Sequence, residues 1–495
     1  MITLYYFIFG VYFLALVYIT LFTLLQFNLL YYYRKFWKKG GVPQPAALRE
    51  TELPFVTVQL PVYNEMYVVE RLIEAITQFD YPKEKFEIHV LDDSTDETVD
   101  IVKKQVALFR KQGFQIEQIR RSDRQGFKAG ALKEAMARAR GEFIAIFDAD
   151  FLPRPDFLRA TLPYFFANPK TGVVQTRWEH INRDYSLITR LQALQLNVHF
   201  TVEQQGRQGG HLLLQFNGTA GIWRRKTIDD AGGWEADTLT EDLDLSIRAQ
   251  LKGWEIVYLE KFESPAELPA EMNGLKSQQF RWMKGGAETA RKMLPTLWHA
   301  DIPMRKKFFG TMQLLGSAVF LFVFVAGVFS VPLVIAMPHL GIPPLAMTVF
   351  LASLLAIGGI YYVANVEAAL QPESWAKKIA KFIVLFPLFL ALSMGLSLHN
   401  SIAVLQGYLG KKTPFVRTPK FNIQGIRDSL KQKKYLHQKL PLTTVLEGLL
   451  ALYFLWAIWL GFEMKNETFF VFHLLLVIGY GTICYYSVRH LKWKS

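Results

Sequence analysis

Side chains able to do charged-group chemistry recur in a fixed order within one part of this 495-residue chain. They are Asp92-Asp93-Ser94, Asp148-Ala149-Asp150, Thr240-Glu241-Asp242 and Gln278-Gln279-Phe280-Arg281-Trp282. A hard divalent ion is satisfied by one or two carboxylates plus substrate phosphates, and a lone carboxylate beside a hydroxyl serves as a general base. Asp148 and Asp150 end a buried strand predicted at 143–147, and a spacing of two places both on one side of it. They are the candidate ligands for Mg2+ or Mn2+, which would stabilise charge on a leaving diphosphate. Asp93 ends a strand read as a neighbour of that one and faces the nucleotide or a metal-bound water. Lys128, in Gly126-Phe127-Lys128-Ala129-Gly130, opens a helix, and a helix N-terminus with a lysine suits phosphate. Each piece alone also fits a solvated turn or an ordinary cap; the fixed order favours chemistry.

Asp242 is the candidate base on the acceptor side, with Glu241 and Asp244 as adjacent competitors. Acids at a helix start also complement the helix dipole. Gln278, Arg281 and Trp282 are spaced i, i+3, i+4, so a helix presents them on one face. Arginine pairs with a diphosphate, and tryptophan offers a flat face to a pyranose ring; a helix lying on a membrane is the rival reading. Tyr63, Asn64 and Glu65 follow the first strand, where they suit a nucleotide base or a helix cap. Asn217 and Gly218, in Phe216-Asn217-Gly218-Thr219, line an acceptor site or form a plain turn before another strand.

These residues need elements to position them. Strands are predicted at 55–60, 86–91, 115–120 and 143–147, with helices at 68–79, 95–112 and 130–140 between them. Such alternation predicts a mostly parallel sheet, with ligands at the carboxyl ends of its strands. A Pro-containing linker at 43–54 precedes the pattern.

Apolar blocks flank it. The chain is 51% hydrophobic with a net charge of +13. Residues 4–33 exceed the roughly 20 needed to span a bilayer. No basic residue precedes them and no small-residue cleavage site follows, so an uncleaved anchor is expected. Further apolar stretches lie at 308–337, 345–369, 379–407, 445–462 and 469–486. Lys and Arg beside spans mark the cytoplasmic side. If every stretch crossed, the basic run 411–439 would fall outside; one must not cross. The choice is 379–407, which Lys381, His399, Asn400 and Gln406 make amphipathic, lying at the interface or re-entering. Five crossings and a cytoplasmic C-terminus follow. The positive charge has no nucleic-acid motif beside it, so no nucleic-acid partner is expected. With a single cysteine, Cys484, no intrachain disulfide forms.

The block 58–293 resembles the plant cellulose-synthase-like proteins that make mannan and xyloglucan backbones, and more distantly bacterial cellulose synthase. Leu91-Asp92-Asp93-Ser94-Thr95-Asp96, Phe127-Lys128-Ala129-Gly130-Ala131-Leu132, Phe147-Asp148-Ala149-Asp150-Phe151, Phe216-Asn217-Gly218-Thr219-Ala220-Gly221 and Gly232-Gly233-Trp234 carry the likeness. It implies a processive family 2 glycosyltransferase with a GT-A domain at 34–307, between an N-terminal transmembrane helix (1–33) and a C-terminal transmembrane and interface region (308–495). By it, Asp93 contacts nucleotide, Asp148 and Asp150 serve nucleotide and metal, Asp242 is the base, and Gln278, Arg281 and Trp282 hold acceptor and diphosphate. Residues 413–421 are similar to a gating loop, with Phe415, Thr418 and Lys420 in place and Arg417 where valine is usual.

The expected activity is inverting transfer of glucose or mannose from UDP-glucose or GDP-mannose to a growing β-1,4-linked glycan. The enzyme would be integral to a plasma, inner or Golgi membrane, with a cytoplasmic catalytic domain and possible accessory subunits. Single transfer to a lipid, as in a ceramide glucosyltransferase, and a non-catalytic transport or scaffold subunit are the alternatives.

Overall fold

The computed structural model describes residues 1–342, 349–413, 416–423, 425, 428 and 440–491, with side chains left out at 349–352. Its centre is a seven-stranded sheet in the order β3-β2-β1-β4-β6-β5-β7. The strands are β1 (Val56–Val62), β2 (Phe86–Asp92), β3 (Ile116–Ile119), β4 (Phe143–Ile146), β5 (Thr171–His180), β6 (Gly221–Arg224) and β7 (Glu255–Ala266). β1 pairs in parallel with both β2 and β4, while β6 runs antiparallel to β4 and β5. The mostly parallel α/β pattern is therefore present, with its early strands within a residue or two of expectation.

Successive side chains of β4 divide between two cores. Phe143 and Ala145 join one face, with Val56, Val58 and Leu60 of β1. Ile144 and Ile146 join the other, with Trp223 and Trp234. A strand covered on both faces reads as a continuous apolar run, which is what Phe143-Ile144-Ala145-Ile146 is.

Three details differ from expectation. β1 lies between β2 and β4, so the strand before Asp93 does not adjoin the strand before Asp148. The loops after β1 and β4, where the strand order reverses, open a crevice between them. In addition, β4 ends at Ile146, and Asp148 and Asp150 sit on the turn beyond it rather than on the strand. The Asp148 amide is held there by Thr219 Oγ1 at 2.8 Å. The third predicted helix also begins earlier, at Phe127.

Five described helices are long and apolar enough to cross a membrane: Ile2–Lys38, Gly316–Leu340, Trp375–Gly395, Leu442–Glu463 and Glu467–Arg489. The expected span at 345–369 is described from Val349; its α-helix ends at Tyr362 and continues as a wider turn, Val363–Glu367. The stretch 379–407 is not one element. It divides into Trp375–Gly395 and Ser397–Tyr408, and the first of these is apolar enough to span.

The packing shows where the break falls. Gly395 lies against Gly479, halfway along the Phe470–Arg489 helix, and Ser397 Oγ meets Tyr480 Oη at 2.9 Å. Ser397–Tyr408 then returns to the α/β domain, where Gly407 abuts the backbone of Lys284. The pair forms a hairpin with its turn at mid-height of its neighbour.

One helix ties the two regions together. Met272–His299 runs beneath the membrane helices. Its buried Lys276 pairs with Glu447 at 2.8 Å, and His490 Nδ1 accepts from the Met272 amide at 3.1 Å. The Ile2–Lys38 helix reaches the same side, where Trp37 Nε1 donates to Glu260 at 3.0 Å.

A Cβ on Gly479 would stand 1.9 Å from the Ala391 carbonyl oxygen. Overpacking of this kind typically costs about 1–3 kcal/mol. Gly479→Ala should lower the thermal midpoint of the detergent-purified protein, whereas Gly481→Ala, with nothing within 4 Å of its Cβ position, should leave it in place. Equal midpoints for the two variants would refute the close contact.

Candidate active site

The crevice between the β1 and β4 loops opens into a cleft of about 210 Å³. Its walls come from segments far apart in the sequence. Tyr63 and Glu65 follow β1, Asp93 follows β2, and Lys128 sits in the first turn of Phe127–Ala135. Asp148 and Asp150 follow β4, Asn217 and Gly218 precede β6, and Glu241 and Asp242 open Glu241–Leu251. Gln278, Arg281 and Trp282 face in from Met272–His299, and Arg417, Thr418 and Lys420 cross the mouth.

Every described residue of the predicted site lines this cleft except Asn64. Asn64 has left-handed backbone and ties two loops together: its amide donates to Ser94 Oγ at 2.9 Å, and its Oδ1 accepts from the Thr95 amide at 2.8 Å. Phe415 lies outside the described residues.

The cleft is a lattice of compensated charge. Lys128 Nζ bonds Asp148 Oδ1 at 2.5 Å and the Gly218 carbonyl at 2.8 Å. Burial opposes the Lys128 charge, but Asp148, Glu241 and Asp242 around it push its pKa above the ordinary lysine value. Lys420 Nζ reaches Asp150 Oδ2 at 2.7 Å. Arg417 grips Glu65 with two bonds of 2.8 Å, and Arg281 donates to Thr418 Oγ1 at 2.9 Å. Asp93 is held by Arg121 Nε at 3.0 Å.

Asp242 accepts from its neighbour's amide, Leu243 N, at 2.8 Å. Burial, and then the adjacent Glu241 carboxylate, push its pKa up to about 7. Burial raises Glu241 as well, against the pull of Lys128. Gly218 is required beside them: its φ is +79°, and a Cβ would come within 3.0 Å of Asp242 Oδ2.

Asp244, the other competitor for the base, is fully buried and paired with Arg248 at 2.7 Å and Lys292 at 3.1 Å. It is away from the cleft wall. With Glu235 and Asp237 it forms a compact acidic group, but Lys292 bonds all three members. An ammonium already supplies the cation there.

Several cleft residues escaped the sequence reading. Arg124 lies over the Tyr63 ring, 3.3 Å from its centroid. Arg121 and Arg124 follow β3 at the same carboxyl edge as the acids, and that position was a usable signal. His180 ends β5 and Glu267 follows β7, and neither carried such a signal. Burial, with Arg177, Arg183 and Lys420 nearby, pushes His180 down to about 3 and keeps it neutral.

A mostly parallel sheet with acids gathered at its strand-order reversal is the GT-A arrangement, here flanked by helices long and apolar enough to cross a membrane. A mannosyltransferase from Pyrobaculum calidifontis, solved in complex with GDP-Man and Mn2+, shares the fold with a TM-score of 0.51 at 20% identity, covering 80% of this chain and all of that one. Residues 54–285 match the glycosyltransferase like family 2. Glucomannan 4-beta-mannosyltransferase 7 of Arabidopsis thaliana is 40% identical over 280 residues, 56% of this chain and 50% of its own. Glucomannan 4-beta-mannosyltransferase 2 of the same plant is 42% identical over 270 residues, 52% of this chain and 51% of its own. The chain thus spans about half the length of the curated relatives it matches. Its α/β domain matches the family 2 glycosyltransferases over residues 54–285 and is similar to the plant glucomannan 4-β-mannosyltransferases.

Removing the Glu241 charge should make Asp242 more acidic. In the ligand-free protein, Glu241→Gln is expected to move the Asp242 titration below about 7, followed by the infrared carboxyl band that Asp242→Asn deletes. An unmoved or upward-shifted titration would contradict the geometry.

Proposed function

We propose that the chain transfers hexose from a nucleotide sugar to a growing β-1,4-linked glycan, with inversion, and that mannose from GDP-mannose is the first donor to test. UDP-glucose is the second. The observation that carries this is the convergence of Asp148, Asp150, Asp242 and Trp282 on one cleft. The names of the relatives and the ligands of the Pyrobaculum calidifontis enzyme support the choice of sugar.

In this reading Asp242 takes the proton of the acceptor hydroxyl as its oxygen bonds the anomeric carbon. The bond from that carbon to the diphosphate breaks, and its electron pair leaves with the nucleoside diphosphate. An α-linked donor then yields a β-linkage. Lys128 and Arg281 stand on the diphosphate side, where fixed cations stabilise the developing charge. Tyr63, Glu65 and Asp93 hold the nucleotide, and Trp282, Gln278, Asn217 and Gly218 line the acceptor path.

The carboxylates fit a hard divalent ion, since Asp148 and Asp150 leave one turn toward the same cleft. A bound Mg2+ or Mn2+ would neutralise the leaving diphosphate. Each carboxylate now carries an ammonium, Lys128 or Lys420; residues 416–420 would therefore shift when metal and nucleotide enter. This is the gating role proposed for Thr418 and Lys420, with Arg417 adding a clamp on Glu65.

The membrane-proximal contacts support five crossings with a re-entrant hairpin at 375–408. The ends at Trp37, Thr444 and His490 meet the catalytic domain or its Met272–His299 helix, while Tyr5 stacks on His339 and Asn466 bonds Val334 at the far end. We place the catalytic domain on the cytoplasmic side.

Two experiments test this. Purified protein is given each nucleotide sugar with Mn2+, with and without EDTA, and the product is digested with linkage-specific hydrolases. Transfer from GDP-mannose, sensitive to EDTA and giving long β-1,4 products, is expected; a single sugar on a lipid would favour the non-processive alternative. Asp242→Asn should lose about 10²–10⁴-fold in rate with unchanged donor affinity. The base works only when ionised, so the parent rate should fall as pH drops below about 7. Parent activity in that variant would move the role to Glu241.

For topology, Lys412→Cys and Lys465→Cys are made in a Cys484→Ser background. A membrane-impermeant thiol reagent applied to intact cells should label position 465 alone. Labelling of position 412 from outside would reverse the orientation.

A further inference from the structure

Behind Asn217, on the side away from the nucleotide, lies a polar relay that the proposed chemistry does not use. His199 opens a five-residue turn of wider helix, His199–Glu203, between Leu187–Val198 and Gln204–Gly209. Such insertions often mark functional sites. The imidazole makes a contact at each nitrogen: Nδ1 to Glu203 Oε2 at 2.8 Å, and Nε2 to Asn217 Oδ1 at 2.9 Å. Gln215 Nε2 also donates to Asn217 Oδ1, at 3.2 Å. Asn217 Nδ2 is buried in the cleft wall and has no protein partner among the described residues.

Proton counting gives this relay a direction. A carboxylate only accepts, so Nδ1 must carry a hydrogen. Burial opposes the Glu203 charge, but the His199 bond, Arg207 and the Gln26 side chain hold its pKa below the ordinary value. Asn217 Oδ1 also only accepts, so the bond at Nε2 needs a second ring hydrogen. The arrangement is satisfied by an imidazolium. A neutral ring would set a lone pair against Oδ1, and the amide would turn over.

We infer that His199, held by Glu203, is a positioning residue that locks the Asn217 amide with its N–H groups free for an oxygen of the acceptor sugar. This rests on the acceptor-side assignment of Asn217 above. The groups around the ring are known on every side: Glu203 and Arg207 on its own helix run, Gln26 from Ile2–Lys38, Tyr361 from Val349–Tyr362, and Gln215 with Asn217 from the loop before β6. Arg207 is itself tied to Gln313 at 3.0 Å. Without a donor at this position the amide presents its oxygen instead, and acceptor binding weakens while donor binding does not.

The test uses the full chain in nanodiscs with GDP-mannose, Mn2+ and a β-1,4-linked mannose hexasaccharide. His199→Ala should raise acceptor KM about tenfold, the worth of one hydrogen bond, while donor KM stays level. His199→Gln, whose amide can donate to Asn217 Oδ1, should keep the low acceptor KM. A His199→Gln variant with the raised acceptor KM of His199→Ala, or a His199→Ala variant that shifts neither KM or both alike, overturns the inference. If His199→Ala does not fold, His199→Gln and Asn217→Asp decide, the latter expected to lose acceptor affinity. A parent that transfers no hexose from GDP-mannose or UDP-glucose overturns the functional reading along with it; a transferring parent matched by its variants overturns this inference alone.

Discussion

The constraint on which the rest depends is the gathering of carboxylates at the carboxyl end of one sheet. Glu65, Asp93, Asp148, Asp150, Glu241 and Asp242 share the walls of a single cleft. Unpaired charges in such a place would be neutralised or would unfold it. The chain answers with cations from four directions: Arg121 on Asp93, Lys128 on Asp148, Arg417 on Glu65 and Lys420 on Asp150. Among the described residues Glu241 and Asp242 have no ion pair within bonding distance, and burial raises both. The group assigned to proton transfer is the one whose charge is least compensated, which is the condition a general base at neutral pH requires.

The same cations connect chemistry to the membrane. Lys420 and Arg417 belong to a segment that follows the Ser397–Tyr408 helix, and Arg281 belongs to the helix beneath the membrane bundle. That helix carries a buried ion pair to Glu447 on one side and cleft residues on another. A shift in the membrane bundle therefore bears directly on Arg281 and Trp282. Glycines permit this closeness, with Gly407 against the Met272–His299 helix and Gly395 against Gly479.

The family match and the fold likeness cover different ground. The family 2 match spans residues 54–285, which is the α/β domain and the first half of the Met272–His299 helix. The membrane hairpin, the strap across the cleft and the His199 relay's contacts with Gln26 and Gln313 draw on residues beyond it.

Composition and spacing alone determined the strand and helix pattern, because strands buried on both faces read as apolar runs and Asp or Gly punctuates their ends. They also picked out acids that the folded chain gathers in one cleft, and raised the expectation, from where the basic residues lie, that one stretch near 379–407 does not cross. The sequence named Asp242 as the candidate base and left Glu241 and Asp244 beside it as competitors. Only tertiary structure separated them, by turning Asp244 inward to Arg248 and Lys292. It also removed Asn64 from the cleft, placed β1 between the strands of Asp93 and Asp148, and brought Arg124, His180 and Glu267 to the site. Those outcomes depend on strand order and on the facing of side chains across distant segments. Local spacing carries periodicity along one element, but it holds no record of which elements become neighbours.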